Sequence, residues 1–352
     1  MQRDNSISIL RVLAMVLIVF YHCFCYCSGS WGYPDATIQF YAPFIHEVAS
    51  LGLDTFVCIS GFLYFRILRT TNKYDNNGRF IGMKVKRLLI PYVFWCLVLC
   101  LSMPQYYDLS QIFWGISHLW FLLMLFGVFC FFTLTKRFWN QDKPKRCAGC
   151  LFVMLACYLL VIHYMDRIPY IVSPNSVGIL DFNFILQYIP IFYLGILAAK
   201  FNLSSFFRLR GIKLALASIV MVGLGLFFNL PIHLKLSALY SWIPYIVLIL
   251  LGYAYLSNSK SVKNNLGGGR YYQLLMLLDR NSMGIYIIHH IIIWTIVRAS
   301  VEVQHWLNVH YIAGPLMIFV VLFPLSFGLS YVLGLLPKSE YYIGCSNSPR
   351  KR

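Results

Sequence analysis

Arg11 and His22 stand eleven residues apart inside the first apolar run of the chain. On a helix that spacing turns through about 1100°, within about 20° of three full turns, so both side chains leave one face. They are separated by about 16 Å along the axis, a cation near one membrane surface and an imidazole nearer the other. Ionisable residues inside an apolar span are costly and are functional candidates by default. Arg11 alone would read as a snorkelling anchor, and His22 alone as an interfacial histidine. Their shared stripe favours chemistry, with the imidazole as general base or nucleophile.

Four further groups carry polar chemistry in apolar surroundings. Asp54 lies in LDTFVCISGF, where Cys58 and Gly61 follow at i+4 and i+7. That narrow face lets another helix close in, and the carboxylate needs a partner or a wet cavity. Lys84, Lys86 and Arg87 run into Leu88–Pro91 at the mouth of another apolar run, with Lys84 and Arg87 three residues apart on one helical side. Such a basic group marks topology and touches lipid phosphate, and it also suits the phosphates of a cytosolic donor. His118 and Trp120 sit where the fourth apolar run begins. Ser282, Tyr286 and His289 form an i, i+4, i+7 stripe in a late apolar run, which should face a bundle interior or a cavity.

The elements that must position these residues are membrane helices. Fifty-nine per cent of the residues are apolar and only 12 per cent are charged, about half the charged share of an ordinary soluble domain. A net charge of +17 would suit nucleic acid, but the basic residues fall in short clusters between apolar runs rather than on one face. A nucleic-acid partner is therefore not expected; membrane lipids are. Ten segments are long and apolar enough to span, at 6–28, 45–66, 87–104, 113–134, 148–165, 184–200, 212–230, 239–257, 281–299 and 312–335. With a cytoplasmic N-terminus, 26 of the 29 basic residues fall in cytoplasmic segments, leaving only Arg167, Lys235 and Arg298 outside. The expectation is an all-α integral membrane protein, a bundle of about ten helices with both termini cytoplasmic. Residues 1–340 form one membrane domain and 341–352 a short basic tail.

All nine histidines fall on the outer side of this map, which suits proton chemistry there. The eleven cysteines lie mostly inside apolar runs. Cys147 and Cys150 have C-x-x-C spacing but no second pair, so no metal site is expected. The first apolar run lacks a small-x-small cleavage site and reads as a retained span.

These residues in this order resemble the acyltransferase-3 family of bacterial membrane O-acyltransferases. The resemblance rests on R-x10-H in the first span, D-x-F-x-x-x-S-G-F in the second, K-x-x-R before L-L-I-P-Y, H-L-W-F-L in the fourth and Y-x-x-H in the ninth. It implies about ten helices in a bacterial inner membrane, a cytosolic acyl-coenzyme A donor (acetyl-coenzyme A first among them) and a glycan or lipid-linked glycan acceptor. It implies Arg11 and His22 as the essential pair; Asp54 is a further catalytic candidate, to orient or charge-balance Arg11 or His22. Lys84, Lys86 and Arg87 would hold the donor, Lys84 standing where the family has arginine and so losing bidentate geometry. His118, Trp120, Ser282, Tyr286 and His289 become candidates for the acceptor side. Val57 departs from the family's D-x-F-F. The rival reading is a transporter or flippase, which would ordinarily carry internal repeats; none is visible.

Overall fold

Each of the ten apolar segments contains a helix in the computed structural model. It describes residues 4–25, 42–71, 76–113, 115–140, 142–165, 182–203, 212–228, 242–259, 262, 269–299 and 301–345, and among them there is no strand. Arg167, Lys235 and the tail beyond Cys345 lie outside the described residues. The helices are α1 (Asn5–Phe24), α2 (Ala42–Thr70), α3 (Asn77–Lys84), α4 (Ile90–Ser102), α5 (Trp120–Leu134), α6 (Lys136–Trp139) and α7 (Pro144–Met165). They continue as α8 (Phe182–Lys200), α9 (Ile212–Phe228), α10 (Trp242–Asn258), α11 (Arg270–Ala299), α12 (Val301–Val309) and α13 (Ala313–Leu333). Among the described residues five stretches are long and apolar enough to cross a membrane: Asn5–Phe24, Phe44–Thr70, Asn77–Ser102, Leu109–Leu134 and Ala313–Leu333. A sixth is α11 taken with α12, which bend by 99° at their junction. Three more apolar helices, Ile185–Lys200, Ile212–Leu224 and Ile243–Asn258, are shorter.

The chain divides into two compact units, and the first holds Met1–Phe56, Leu203–Pro337 and Cys345–Arg352. Asp4 starts α1 as its N-cap: one carboxylate oxygen accepts the Ser6 N–H at 3.1 Å and the other accepts the Tyr253 hydroxyl of α10 at 3.0 Å. The inward face of α1 buries Met15 and Val19 against Ile285 and Ile293 of α11 and Leu322 of α13. Gly52 lets α2 approach α1, because a Cβ there would come within 2.8 Å of Ile18.

Contacts along these helices give their directions. Arg11 meets Asp279 and His22 meets His289, so α1 and α11 run parallel. Phe20 packs on Phe319 while Asn281 meets Ser330, so α13 runs against both. The ninth helix differs from the sequence reading in length. It starts at Arg270 rather than 281, which places Asp279 inside the helix instead of in a flanking loop.

The second unit holds Val57–Asn202 and Lys338–Gly344. Here α2 and α8 cross at backbone contact: a Cβ on Gly61 would strike the Phe192 carbonyl, and one on Gly195 the Cys58 carbonyl. The narrow Cys58–Gly61 face is thus filled by a helix, as small residues allow. Around the crossing Tyr64, Phe80, Phe129, Phe132, Trp139 and Phe192 form an aromatic core, with Phe132 and Phe192 stacked at 4.8 Å. Buried Trp139 gives its indole N–H to the Phe132 carbonyl at 2.7 Å.

Between α3 and α4 the backbone winds as a π-helix over Val85–Leu89, the Ile90 N–H reaching back to the Val85 carbonyl. Pro91 explains it. A proline has no N–H for the carbonyl four residues earlier, here Arg87, and its ring collides with that carbonyl in an α-helix. A widened turn relieves the clash. Such turns are uncommon and recur at functional sites.

Candidate active site

The stripe on α1 is answered by a stripe on α11. Arg11 Nη2 donates to Asp279 Oδ2 at 2.6 Å and lies 2.5 Å from Oδ1. The Ser8 hydroxyl donates to the same Oδ2 at 2.8 Å. The Asp279 side chain is fully buried, while Arg11 keeps 29% exposure. Further along, His22 Nδ1 and His289 Nε2 are 2.9 Å apart. His289 is itself fully buried, with Nδ1 3.0 Å from the Ile285 carbonyl one turn earlier. Tyr286 lies beside His289 at 5.8 Å between rings, and the buried His290 stands edge-on to His22 at 4.9 Å.

The Ser282, Tyr286 and His289 stripe therefore faces the interior, and it extends to Asp279, three residues before Ser282. Sequence reasoning missed Asp279 because Asp279-Arg280 looks like a polar flank; the three-residue step from Ser282 was the signal that could have found it. Arg11 pairs with Asp279, which a helix registered parallel to α1 brings opposite it. Asp54 is buried on α2, and its electrostatic neighbour is Glu47, seven residues earlier on the same helix. Asn281, two residues beyond Asp279, is a second polar centre: it is fully buried, its amide donates to the Leu277 carbonyl, and its oxygen accepts from Ser330.

In the second unit Lys84, Lys86 and Arg87 occupy the junction of α3 with the π-helix. The Lys84 ammonium lies 3.4 Å from the Phe129 ring centroid and 5.3 Å from that of Phe80, a cation–π seat. Lys86 and Arg87 are exposed.

His118 and Trp120 also belong to this unit, at a 3-10 turn, Ser117–Leu119, that opens α5. Gly115 and Ser117 there take positive φ, 101° and 48°. Gly115 needs glycine on a second count, since a Cβ would come within 2.7 Å of Trp120. Tyr92, which follows the Pro91 of the π-turn, donates its hydroxyl to the Ile112 carbonyl at 2.6 Å and ties α4 to this approach. His118 is buried and Trp120 half-buried, its ring 6.2 Å from Tyr188 of α8.

Cys147 and Cys150 are thiols outside any disulfide, and Cys147 Sγ lies 3.8 Å from the Lys200 ammonium. Among the described residues no group of three or more His, Cys, Asp or Glu is disposed to hold a metal ion.

The helical architecture and its long apolar stretches are those of a membrane protein, and the chain belongs to the acyltransferase-3 family. That family's model, an acyltransferase domain, matches residues 4–335. Among curated proteins the chain is similar to glucans biosynthesis protein C of Escherichia coli (strain SMS-3-5 / SECEC), 29% identical over 61% of this chain and 64% of that protein. It is likewise similar to the protein of the same name in Salmonella heidelberg (strain SL476), 29% identical over 56% of this chain and 58% of that one. The match spans about six-tenths of these relatives' own length. No solved structure matches.

Proposed function

We propose that this protein moves an acyl group, acetyl first among the candidates, from cytosolic acyl-coenzyme A to a hydroxyl of a cell-envelope glycan. The observation that carries this is the His22–His289 bond, set on the same pair of helices as Arg11–Asp279, in a chain that belongs to an acyltransferase family. The name shared by the two relatives, glucans biosynthesis protein, supports a glycan or lipid-linked glycan as acceptor.

In this reading the chain crosses the bacterial inner membrane ten times with both ends in the cytoplasm. Residues 1–340 act as one catalytic domain and 341–352 as its basic tail. Lys84, Lys86 and Arg87 hold the coenzyme phosphates by charge-assisted bonds, and a basic segment on the cytoplasmic side suits a cytosolic donor. The His22 imidazole takes the proton of the acceptor hydroxyl while the oxygen attacks the thioester carbonyl. The carbon–sulfur bond then breaks, and the coenzyme thiolate leaves with the proton that His22 returns. Arg11, its charge balanced by Asp279, supplies positive potential in the same unit as the base. His118, Trp120, Ser282 and Tyr286 are assigned to the acceptor side. Asp54 enters only as a buried acid of α2.

The test is direct. Purified protein in detergent, incubated with labelled acetyl-coenzyme A and a panel of glucans and lipid-linked glycans, should transfer label to at least one. Label transfer that persists in His22→Ala would remove the assigned base. No turnover with any acyl-coenzyme A would return the chain to the transporter reading.

A further inference from the structure

We infer that His289 is a positioning residue that holds His22 in the tautomer protonated at Nδ1 and so makes Nε2 its basic nitrogen. This rests on the proposed role of His22 and specifies which of its atoms acts.

The Ile285 carbonyl can only accept, so His289 Nδ1, 3.0 Å from it, carries a proton. A neutral imidazole has one N–H, and His289 Nε2 therefore presents a lone pair. That lone pair faces His22 Nδ1 across 2.9 Å. Two lone pairs at that distance repel, whereas an N–H···N bond fits it. His22 Nδ1 is accordingly the donor, and with its single proton placed there the ring's other nitrogen, Nε2, is left with the lone pair that accepts a proton.

The anchor is as rigid as the fold allows. Ile285 and His289 are one helical turn apart, both are fully buried, and their bond stays within α11. His289 is thus oriented by its own helix, and it orients the histidine of the next one. The role matches that of a third group which sets the tautomer of a catalytic histidine, played here by a second imidazole instead of a carboxylate. When Nε2 of His22 gains the acceptor's proton, the Nδ1–H bond to His289 becomes charge-assisted and strengthens, so the partner also favours the imidazolium.

The full-length protein, labelled with ¹⁵N-histidine and held in detergent, reads this through the nitrogen shifts of His22, assigned by loss of its signals in His22→Gln. The result expected is a protonated Nδ1 and an unprotonated Nε2. His289→Gln, whose amide oxygen can still accept, should keep that pattern and most of the activity. His289→Leu, with no acceptor, should lose the Nδ1–H tautomer and lower kcat by about tenfold to a hundredfold, with the donor KM unchanged. A wild-type His22 protonated at Nε2, or identical His22 spectra in the Gln and Leu variants, overturns the inference. The nitrogen shifts are independent of turnover. An Nδ1–H tautomer in a protein whose His22→Ala variant stays active would leave the inference standing and remove the catalytic role of His22.

Discussion

Asp279 meets Arg11 with a carboxylate that is fully buried and a guanidinium that is not, the side chains being 0% and 29% exposed. The asymmetry predicts which partner the fold needs more. Arg11→Leu strands a fully buried carboxylate, so it should destabilise by about 3–5 kcal/mol, more than Asp279→Ala, whose remaining guanidinium keeps access to solvent. Arg11→Leu combined with Asp279→Leu should recover part of that loss, because no charge is then stranded. Thermal unfolding in detergent of the two single variants and the double gives the coupling. Strictly additive effects would mean that the pair is not an energetic unit. Acyl transfer should be lost in all three.

The crossing of α2 and α8 gives a prediction that is independent of catalysis. Gly61 and Gly195 each face a carbonyl of the opposite helix with no room for a methyl group. Gly195→Ala must push the helices apart, and overpacking of this kind costs about 1–3 kcal/mol. Gly149, where an added methyl group would meet nothing within 4 Å, is the control that should tolerate alanine. Equal melting temperatures for the two variants would show that the helices separate freely.

How far the sequence reveals this molecule depends on whether a feature repeats along the chain. Apolar runs and basic clusters do, and a helix lies within each of those runs, five stretches or six with the bent pair being long and apolar enough to cross a membrane among the described residues. The Arg11–His22 stripe is periodic too, and both residues are found on the face of α1 that meets α11. Their partners depend on the registration of two helices more than 250 residues apart, which no local spacing encodes. For Asp54 the burial of a carboxylate was legible, whereas the pairing of Arg11 with Asp279 was made by packing. At Lys84 and Arg87 the local winding was not legible, because Pro91 favours a π-turn across the residues whose spacing was being read.

The basic segment should divide between binding and stability. Arg87→Ala and Lys86→Ala remove exposed cations, so each should raise the donor's KM while changing kcat little, since remote phosphate contacts act alike in ground and transition states. Lys84→Ala should also lower thermal stability by about 0.5–2 kcal/mol through loss of its seat on Phe129. Combined Lys84→Ala and Arg87→Ala should raise the donor KM about tenfold or more, one to two charge-assisted bonds being at stake. Unchanged donor affinity in that double variant would leave the segment as a topology signal alone.

The membrane map is checked by reporters. One inserted near Gly78 should report cytoplasm, and one near Asp35 should report the outside. Gly78 is the sharper probe, because the segment around it carries Arg66, Arg69, Lys73, Arg79, Lys84, Lys86 and Arg87, the largest share of the basic residues. An outside signal there would invert the whole map and remove the cytosolic donor from that segment.

The proposed chemistry is most exposed at His22. It lies near the end of α1 and is half-buried, so His22→Ala should insert and fold with little loss, and expression in the membrane should stay close to wild type. Acyl transfer should fall by roughly 10²–10⁴-fold if the imidazole acts as a general base. If His22 instead carries the acyl group on its ring before passing it on, the loss should be nearly complete. An acyl-His22 adduct should then accumulate when donor is supplied without acceptor, and intact-protein mass spectrometry would detect it as the added mass of one acyl group. Its absence under those conditions favours the general base. His22→Ala with wild-type activity beside an inactive His289→Ala would move the reacting imidazole to α11, where His289 would have to act from a fully buried position.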